Sequence, residues 1–264
     1  MDAVARFLNL VAGAEPALDE AALAVAAGVD PDLDRAAALA ELDRLADGVT
    51  DLDSLVTRLF VEAGFTGNAD DYYDPRNSLL PEVLERRTGI PITLAVVTIE
   101  VGRRVGVPLE GVGMPGHFLV RTPGTQRYLD VFDRGRRIDR AGCEALFRRA
   151  TGVGPETRFG SHLLSRVSTR QLLARMLENL RGVYRERGDH ANLEWVLRMR
   201  LGLRHEGPEL VSELAEVLGA QARWDESARL LESWAEGPGR RAEVGTDVLD
   251  EIRYEARRQR AHLN

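Results

Sequence analysis

The chain has 264 residues, 44% hydrophobic and 29% charged, a balance that fits one or two packed domains and excludes global disorder. A net charge of −7 argues against general nucleic-acid binding, and a single cysteine, Cys143, excludes an intrachain disulfide or a thiolate zinc cluster. All 35 basic residues are arginine, so no side-chain amine is available for a Schiff base or an amide cross-link.

Residues 3–63 read as helical. Leu8, Val11 and Ala14 form one short apolar stripe; Leu18, Ala21, Ala22, Val25 and Ala26 form a second. Asp30-Pro31-Asp32 is read as a helix start leading to Leu39, Leu42 and Leu45. Asp51 is placed to cap a helix through Phe60, which Gly64 ends. A helix through Leu79–Leu84 stops at Gly89, and an almost wholly apolar helix runs from Pro91 to Arg104 and should be buried.

The period then changes. Residues 111–114, 117–121 and 127–132 read as strands, with Thr122-Pro123-Gly124-Thr125 as the turn between the last two. A helix near Arg140–Arg149 follows, then a break at Thr151–Pro155. From Ser168 the chain is helical again. Gly188 and Ala222 occupy similar inter-helix positions 34 residues apart, the tetratricopeptide period. Two such helix pairs over 168–236 rarely suffice alone, so the tail is expected to dock on the core, with Trp195, Trp224 and Trp234 mostly inside.

The fold class is therefore α+β. A helical segment, 1–63, precedes a core with a small antiparallel sheet, 64–155, and a helical repeat region, 156–264. Residues 1–74 carry 16 acids and 4 arginines and the remainder 26 acids and 31 arginines, giving −12 and +5. A solvated acidic surface is the preferred reading; an intramolecular match between the two parts is the alternative. The chain carries no apolar run long enough for a bilayer, and its start, Met1-Asp2-Ala3-Val4-Ala5-Arg6, lacks signal-peptide features, so a cytoplasmic location is expected.

The stretch from Tyr72 to Asp133 carries the chemistry. A helix beginning at Pro91, a histidine opening a strand (His117) and an aspartate in the next strand (Asp130) follow in the order of a papain-type cysteine hydrolase. In such a site a thiol at a helix N-terminus becomes thiolate, the histidine takes its proton and the acid orients the histidine. Gly89-Ile90-Pro91-Ile92-Thr93-Leu94-Ala95 followed by Gly106-Val107-Pro108 is similar to the transglutaminase-like core. Counting back from Gly106, the cysteine of that pattern falls on Pro91. Gly64–Asn68, Tyr73–Ser78 and Pro115–Leu119 resemble the SirB-type bacterial branch, in which such a core precedes a tetratricopeptide-like tail and proline replaces the cysteine.

The resemblance implies a retained dyad, His117 and Asp130, with Pro91 at the nucleophile position. Without it, the same pair reads as a buried hydrogen bond serving stability. Asn77, Arg87 and Thr93 are expected to border the cleft, Arg76 and Arg86 to flank it. An anion or peptide carboxylate is the ligand that arginine forks would take there. Ser78, Thr93 and Cys143 are weighed as substitute nucleophiles and read as packing or helix-entry groups. His162, His190, His205 and His262 show no metal-ligand spacing, and no cofactor is implied.

Three readings follow. One is a non-catalytic protein- or peptide-binding module, without nucleic-acid or membrane partners. The second is a hydrolase or acyl-transfer enzyme using His117 and Asp130 with water or a non-cysteine nucleophile. The third is a scaffold whose repeats alone bind partners.

Overall fold

The computed structural model describes residues 2–203 and 207–262; His205 lies outside them. Helices α1 (Ala3–Ala12) and α2 (Leu18–Ala26) pack together, and α2 is buried along most of its length. Asp30-Pro31-Asp32 is a turn, and α3 (Arg35–Ala46) begins later than the sequence suggests. Asp34, rather than Asp30, has the carboxylate that accepts the Ala37 N–H, at 3.0 Å. Asp51 caps α4 (Leu52–Val56) in a reciprocal box with Ser54, and the helix runs on as a π turn over Thr57–Glu62.

Strands β1 (Thr66–Gly67) and β2 (Thr88–Gly89) pair in parallel. Between them lie a 3-10 turn, Pro75–Ser78, and α5 (Leu80–Arg86). Helix α5 ends at Arg87, held left-handed at φ 57°, while Gly89 belongs to β2 and stops nothing.

Pro91 then opens α6 (Pro91–Arg104), where its fixed φ suits the first helical position and its missing N–H costs nothing. Ile92, Leu94, Ala95, Val96, Val97 and Val101 are at most 2% exposed. Removing each of the valine, leucine and isoleucine side chains from water contributes roughly 1.5–3 kcal/mol before entropy is counted, which makes α6 the axle of the molecule. Thr98, also buried, donates its hydroxyl to the Leu94 carbonyl at 2.8 Å.

Strands β3 (Glu110–Met114), β4 (His117–Arg121), β5 (Tyr128–Asp130) and β6 (Arg136–Ile138) form one antiparallel sheet in that order. The expected hairpin pairs Val120 with Leu129 and Arg121 with Tyr128. Residues 131–135 turn, so Val131, though buried, lies past the strand, and β6 follows where the Arg-rich sequence shows no alternation. Period-two alternation divides β4: Phe118 and Val120 join the apolar cluster around α6. Leu119 joins a second cluster with Cys143, Leu146 and Phe147 of α7 (Arg140–Thr151).

The tail comprises α8 (Thr169–Glu186), α9 (His190–Leu201), α10 (Pro208–Ala220), α11 (Trp224–Ala235), α12 (Arg240–Val244) and α13 (Thr246–Ala261). Helix α8 packs on α9, α9 on α10, α10 on α11, and α11 on α13. Gly188 and Ala222 are both left-handed, at φ 64° and 59°. The tryptophans depart from expectation: all three are half-buried. Trp195 lies edge-on to Tyr184, Trp224 stacks on His262 with centroids 4.1 Å apart, and Arg240 covers Trp234. Smaller side chains such as Ala228 and Leu231 fill the interior, and the indoles seal its rim.

One apolar cluster joins the three segments. Phe7 and Leu23 belong to it together with Leu94 and Val96 and with Leu173, Met176, Leu193 and Val196. Helix α1 packs on α9 and α2 on α8, and Arg170 donates to the carbonyls of Val11, Gly13 and Ala14. The charge asymmetry is partly consumed inside the molecule. Asp19 pairs with Arg103 and Arg104 at 3.0 and 2.8 Å, Asp43 with Arg104 at 2.7 Å, Glu41 with Arg87 and Asp53 with Arg137. Both readings hold in part: these four acids meet arginines of the basic part, while most of the other N-terminal acids, among them Asp2, Glu15, Asp30, Asp32 and Asp47, are exposed to solvent. Of the four, Asp19 is deeply buried, and the exposed pairs contribute little individually.

Candidate active-site pocket

His117 opens β4 and Asp130 closes β5, which brings His117 Nε2 to 2.8 Å from Asp130 Oδ1. Asp130 is 2% exposed. Its Oδ1 also accepts the Asp133 N–H at 3.3 Å, and Arg136 lies 3.7 Å from Oδ2. Burial pushes the Asp130 carboxyl upward; the His117 hydrogen bond and charge, the Asp133 amide and Arg136 outweigh it and hold the group below the usual aspartate range. An ionised carboxylate only accepts, so Nε2 is the donor in this pair, and whenever the ring is neutral its lone pair is on Nδ1. Nδ1 makes no hydrogen bond among the described residues.

The turn before His117 is held from two sides. Gly116 is left-handed at φ 73°, and a Cβ there would stand 2.9 Å from that of Ala150, so the last turn of α7 needs glycine at this point. Arg175 of α8 donates to the carbonyls of Met114 and His117 at 3.0 and 3.1 Å. Phe132 faces His117 edge-on at 6.1 Å, and its ring presses so closely on β1 that a Cβ on Gly67 would meet it at 2.3 Å.

A cavity of about 340 Å³ opens in front of the dyad. Pro91, His117, Tyr72 and Phe132 form its floor and one wall; Leu146, Arg149 and Ala150 of α7 form another. The structure thus brings Pro91 and His117 to one pocket. The expected cleft residues are not part of it. Asn77 is fully buried and donates its amide to the carbonyls of Asp71 and Tyr72 at 2.7 and 3.3 Å, while its Oδ1 accepts from Asn68 and Arg86. It fixes the loop that delivers Tyr72. Arg87 spends its charge on Glu41 and stacks over Phe65 at 4.9 Å. Arg76 and Arg86 turn to Asp74, at 2.8 and 3.5 Å. Thr93 is fully buried, and its hydroxyl has no hydrogen-bond partner among the described residues. Cys143 lies beneath the sheet, fully buried, and burial with nearby Asp139 and Asp130 pushes its thiol up to about 12.

Tyr72, Phe132 and Arg149 are pocket residues that the sequence reading did not single out. The aromatic pair lay in view in the Tyr72–Asp133 stretch; nothing in the sequence distinguishes Arg149 from its neighbours. Tyr72 also borders a second groove, of about 420 Å³, between the Tyr72–Ser78 segment and Glu178, Gly182 and Glu186 of α8. Among the described residues no group of His, Cys, Asp and Glu is placed to hold a metal ion, and no helix is long and apolar enough to cross a membrane.

The dyad on paired strands, facing the head of a buried helix, agrees with the family comparison: the model described as the transglutaminase-like superfamily matches residues 16–178. The chain belongs to the transglutaminase-like superfamily. It is similar to the UPF0162 protein PA3419 of Pseudomonas aeruginosa, 37% identical over 199 residues, 72% of this chain and 73% of that protein. A UPF0162 protein of Xylella fastidiosa is 48% identical over 132 residues, 48% of this chain and 46% of that relative, so the match spans about half of each. Human F-box only protein 21 is 32% identical over 147 residues, 52% of this chain but 22% of that protein. The crystal structure of menin overlaps 97% of this chain and 67% of its own, at 12% identity and TM-score 0.43.

Proposed function

We propose that this is a transglutaminase-like protein of SirB type that lacks the family's catalytic cysteine and acts in the cytoplasm as a protein- or peptide-binding module. The observation that carries this reading is Pro91 at the head of α6, in the same pocket as His117. Proline has neither a thiol nor an N–H, so it supplies no nucleophile and no amide dipole there. Among the described residues no cysteine, serine or threonine lines that pocket, and the Cys143 thiol is buried and pushed up to about 12. The groove beside α8 and the paired helices of the tail, read as tetratricopeptide-type units, supply surface for a polypeptide partner.

The second reading has water as nucleophile. It is favoured by the free Nδ1 of His117, backed by an ionised Asp130, which has the form of a general base. Assays of purified protein and His117→Ala on acyl and peptide substrates separate the two. The binding reading expects no turnover that depends on His117; His117-dependent hydrolysis overturns it. Affinity capture from native extract, repeated with Gly182→Arg to block the α8 groove, tests binding directly. A partner retained by the wild type and lost by the variant supports the module.

A further inference from the structure

Arg149 differs from the residue beside it. Arg148 is committed to Glu144 at 2.6 Å, to the Thr157 carbonyl at 3.2 Å and to the carbonyl of Gly154. Arg149 is exposed, lines the His117 pocket and makes no hydrogen bond or ion pair among the described residues. The other walls are aromatic and aliphatic: Tyr72, Phe132, Leu146 and Pro91. Among the described residues no carboxylate lines this pocket. Asp130 stands behind His117, already engaged by the imidazole, by the Asp133 amide and by Arg136. The cavity thus combines an uncommitted cation at its edge, an apolar interior and a free imidazole nitrogen. At about 340 Å³ it is at the small end of ligand pockets.

We propose that this pocket takes the C-terminal residue of a peptide, with its carboxylate on Arg149. This rests on the binding-module reading and gives that module its ligand chemistry. A guanidinium fork matches a carboxylate in two parallel hydrogen bonds. A C-terminal residue offers carboxylate and side chain from the same Cα, so one group meets Arg149 while the other fills the space between Tyr72, Phe132 and Leu146. An acidic side chain brings an anion but leaves the apolar walls unfilled. The lone pair on His117 Nδ1 accepts the N–H of the terminal residue. The preceding chain leaves past Tyr72, whose ring is shared with the groove along α8.

The test is an NMR titration read at the His117 ring and the Ala150 methyl. The probes are acetyl-Gly-Ser-Ala-Leu as free acid, the same peptide as C-terminal amide, and acetyl-Gly-Ser-Ala-Asp amide. The free acid should shift both signals saturably, with a Kd of about 1 mM or tighter. The two amides should bind roughly ten- to hundredfold more weakly, the worth of a hydrogen bond to a charged group. Arg149→Gln, an exposed position that should not disturb folding, should erase the preference for acid over amide. Equal titration by acid and amide, equal titration by the Asp-amide peptide, a preference that survives Arg149→Gln, or no shift with any probe each overturns the proposal. The Gly182→Arg capture experiment reads the module independently. A partner lost with that variant, beside a failed titration, sinks the carboxylate site alone.

Discussion

Arg175 reaches from the middle of α8 to the main-chain carbonyl of His117, at 3.1 Å, and with the same nitrogen to that of Met114, at 3.0 Å. A helix of the tail therefore holds the turn that presents the site histidine. Arg175 also lies over the Phe118 ring at 5.5 Å. Burial pulls its guanidinium below the ordinary arginine value, with the Tyr72 phenol acting against that, yet an arginine stays charged throughout.

Replacing Arg175 should thus act at a distance on the pocket. Arg175→Met is expected to lower stability by about 2 kcal/mol, the usual scale for hydrogen bonds made by a charged donor. It should also broaden or split the His117 ring signals in NMR spectra. Arg175→Lys should recover only part, because an ammonium lacks the planar fork. An unchanged His117 spectrum in the Met variant would show that the turn holds itself.

Pro91→Cys places a thiol at the head of α6, in the pocket of His117. The expected result is iodoacetamide labelling at neutral pH that falls about tenfold when His117→Ala is added, because a helix N-terminus and a neighbouring imidazole both favour thiolate. The wild-type protein should label only after unfolding, since Cys143 is buried with its thiol pushed up to about 12. Labelling of native wild type that depends on His117 would make Cys143 the reactive group.

Asp130 sets a pH dependence. Its carboxyl is held below the usual range in the folded state, so its contribution is present above the unfolded value, near about 4, and is lost as pH falls through the folded one. Asp130→Asn should cost roughly 1–3 kcal/mol at neutral pH by weakening the buried hydrogen bond from His117 to a carboxylate. The gap in melting temperature between wild type and variant should narrow as pH drops below about 4. A gap constant from neutral to acid pH would mean that the carboxylate charge does not stabilise the fold.

Deleting residues 168–264 should leave an insoluble remainder. The cut removes Leu173, Met176 and Val196 from the cluster that also holds Phe7, Leu23 and Leu94, and it removes the Arg170 and Arg175 contacts. Dye binding and sedimentation should report exposed apolar surface and aggregation. A soluble fragment 1–160 with one cooperative melt would show the tail to be an appendage.

The sequence by itself determined what depends on local pattern. The apolar run from Ile92 to Val101 specifies a buried helix, alternation specifies the 117–121 strand, and Asp51 specifies its cap. The dyad was legible through the resemblance, which set His117 and Asp130 in order after Pro91; the pairing of β4 with β5 then brings the two side chains to 2.8 Å. Helix starts and stops were less legible. Asp30 and Asp34 are equally good caps in isolation, and Arg87 adopts a left-handed conformation that only its surroundings, Glu41 and Phe65, secure. The tertiary structure alone decided which polar residues face the pocket. Asn77, Arg86 and Arg87 are as suited to a ligand as Arg149 in chemistry, but their partners Asp71, Asp74 and Glu41 are brought to them by packing and consume them. Arg149 remains uncommitted because the last turn of α7 seats its backbone on Gly116 and carries no acid to that edge. Periodicity records which side of an element is apolar; it does not record which charge of another element will meet it, and that meeting is what makes or removes a site.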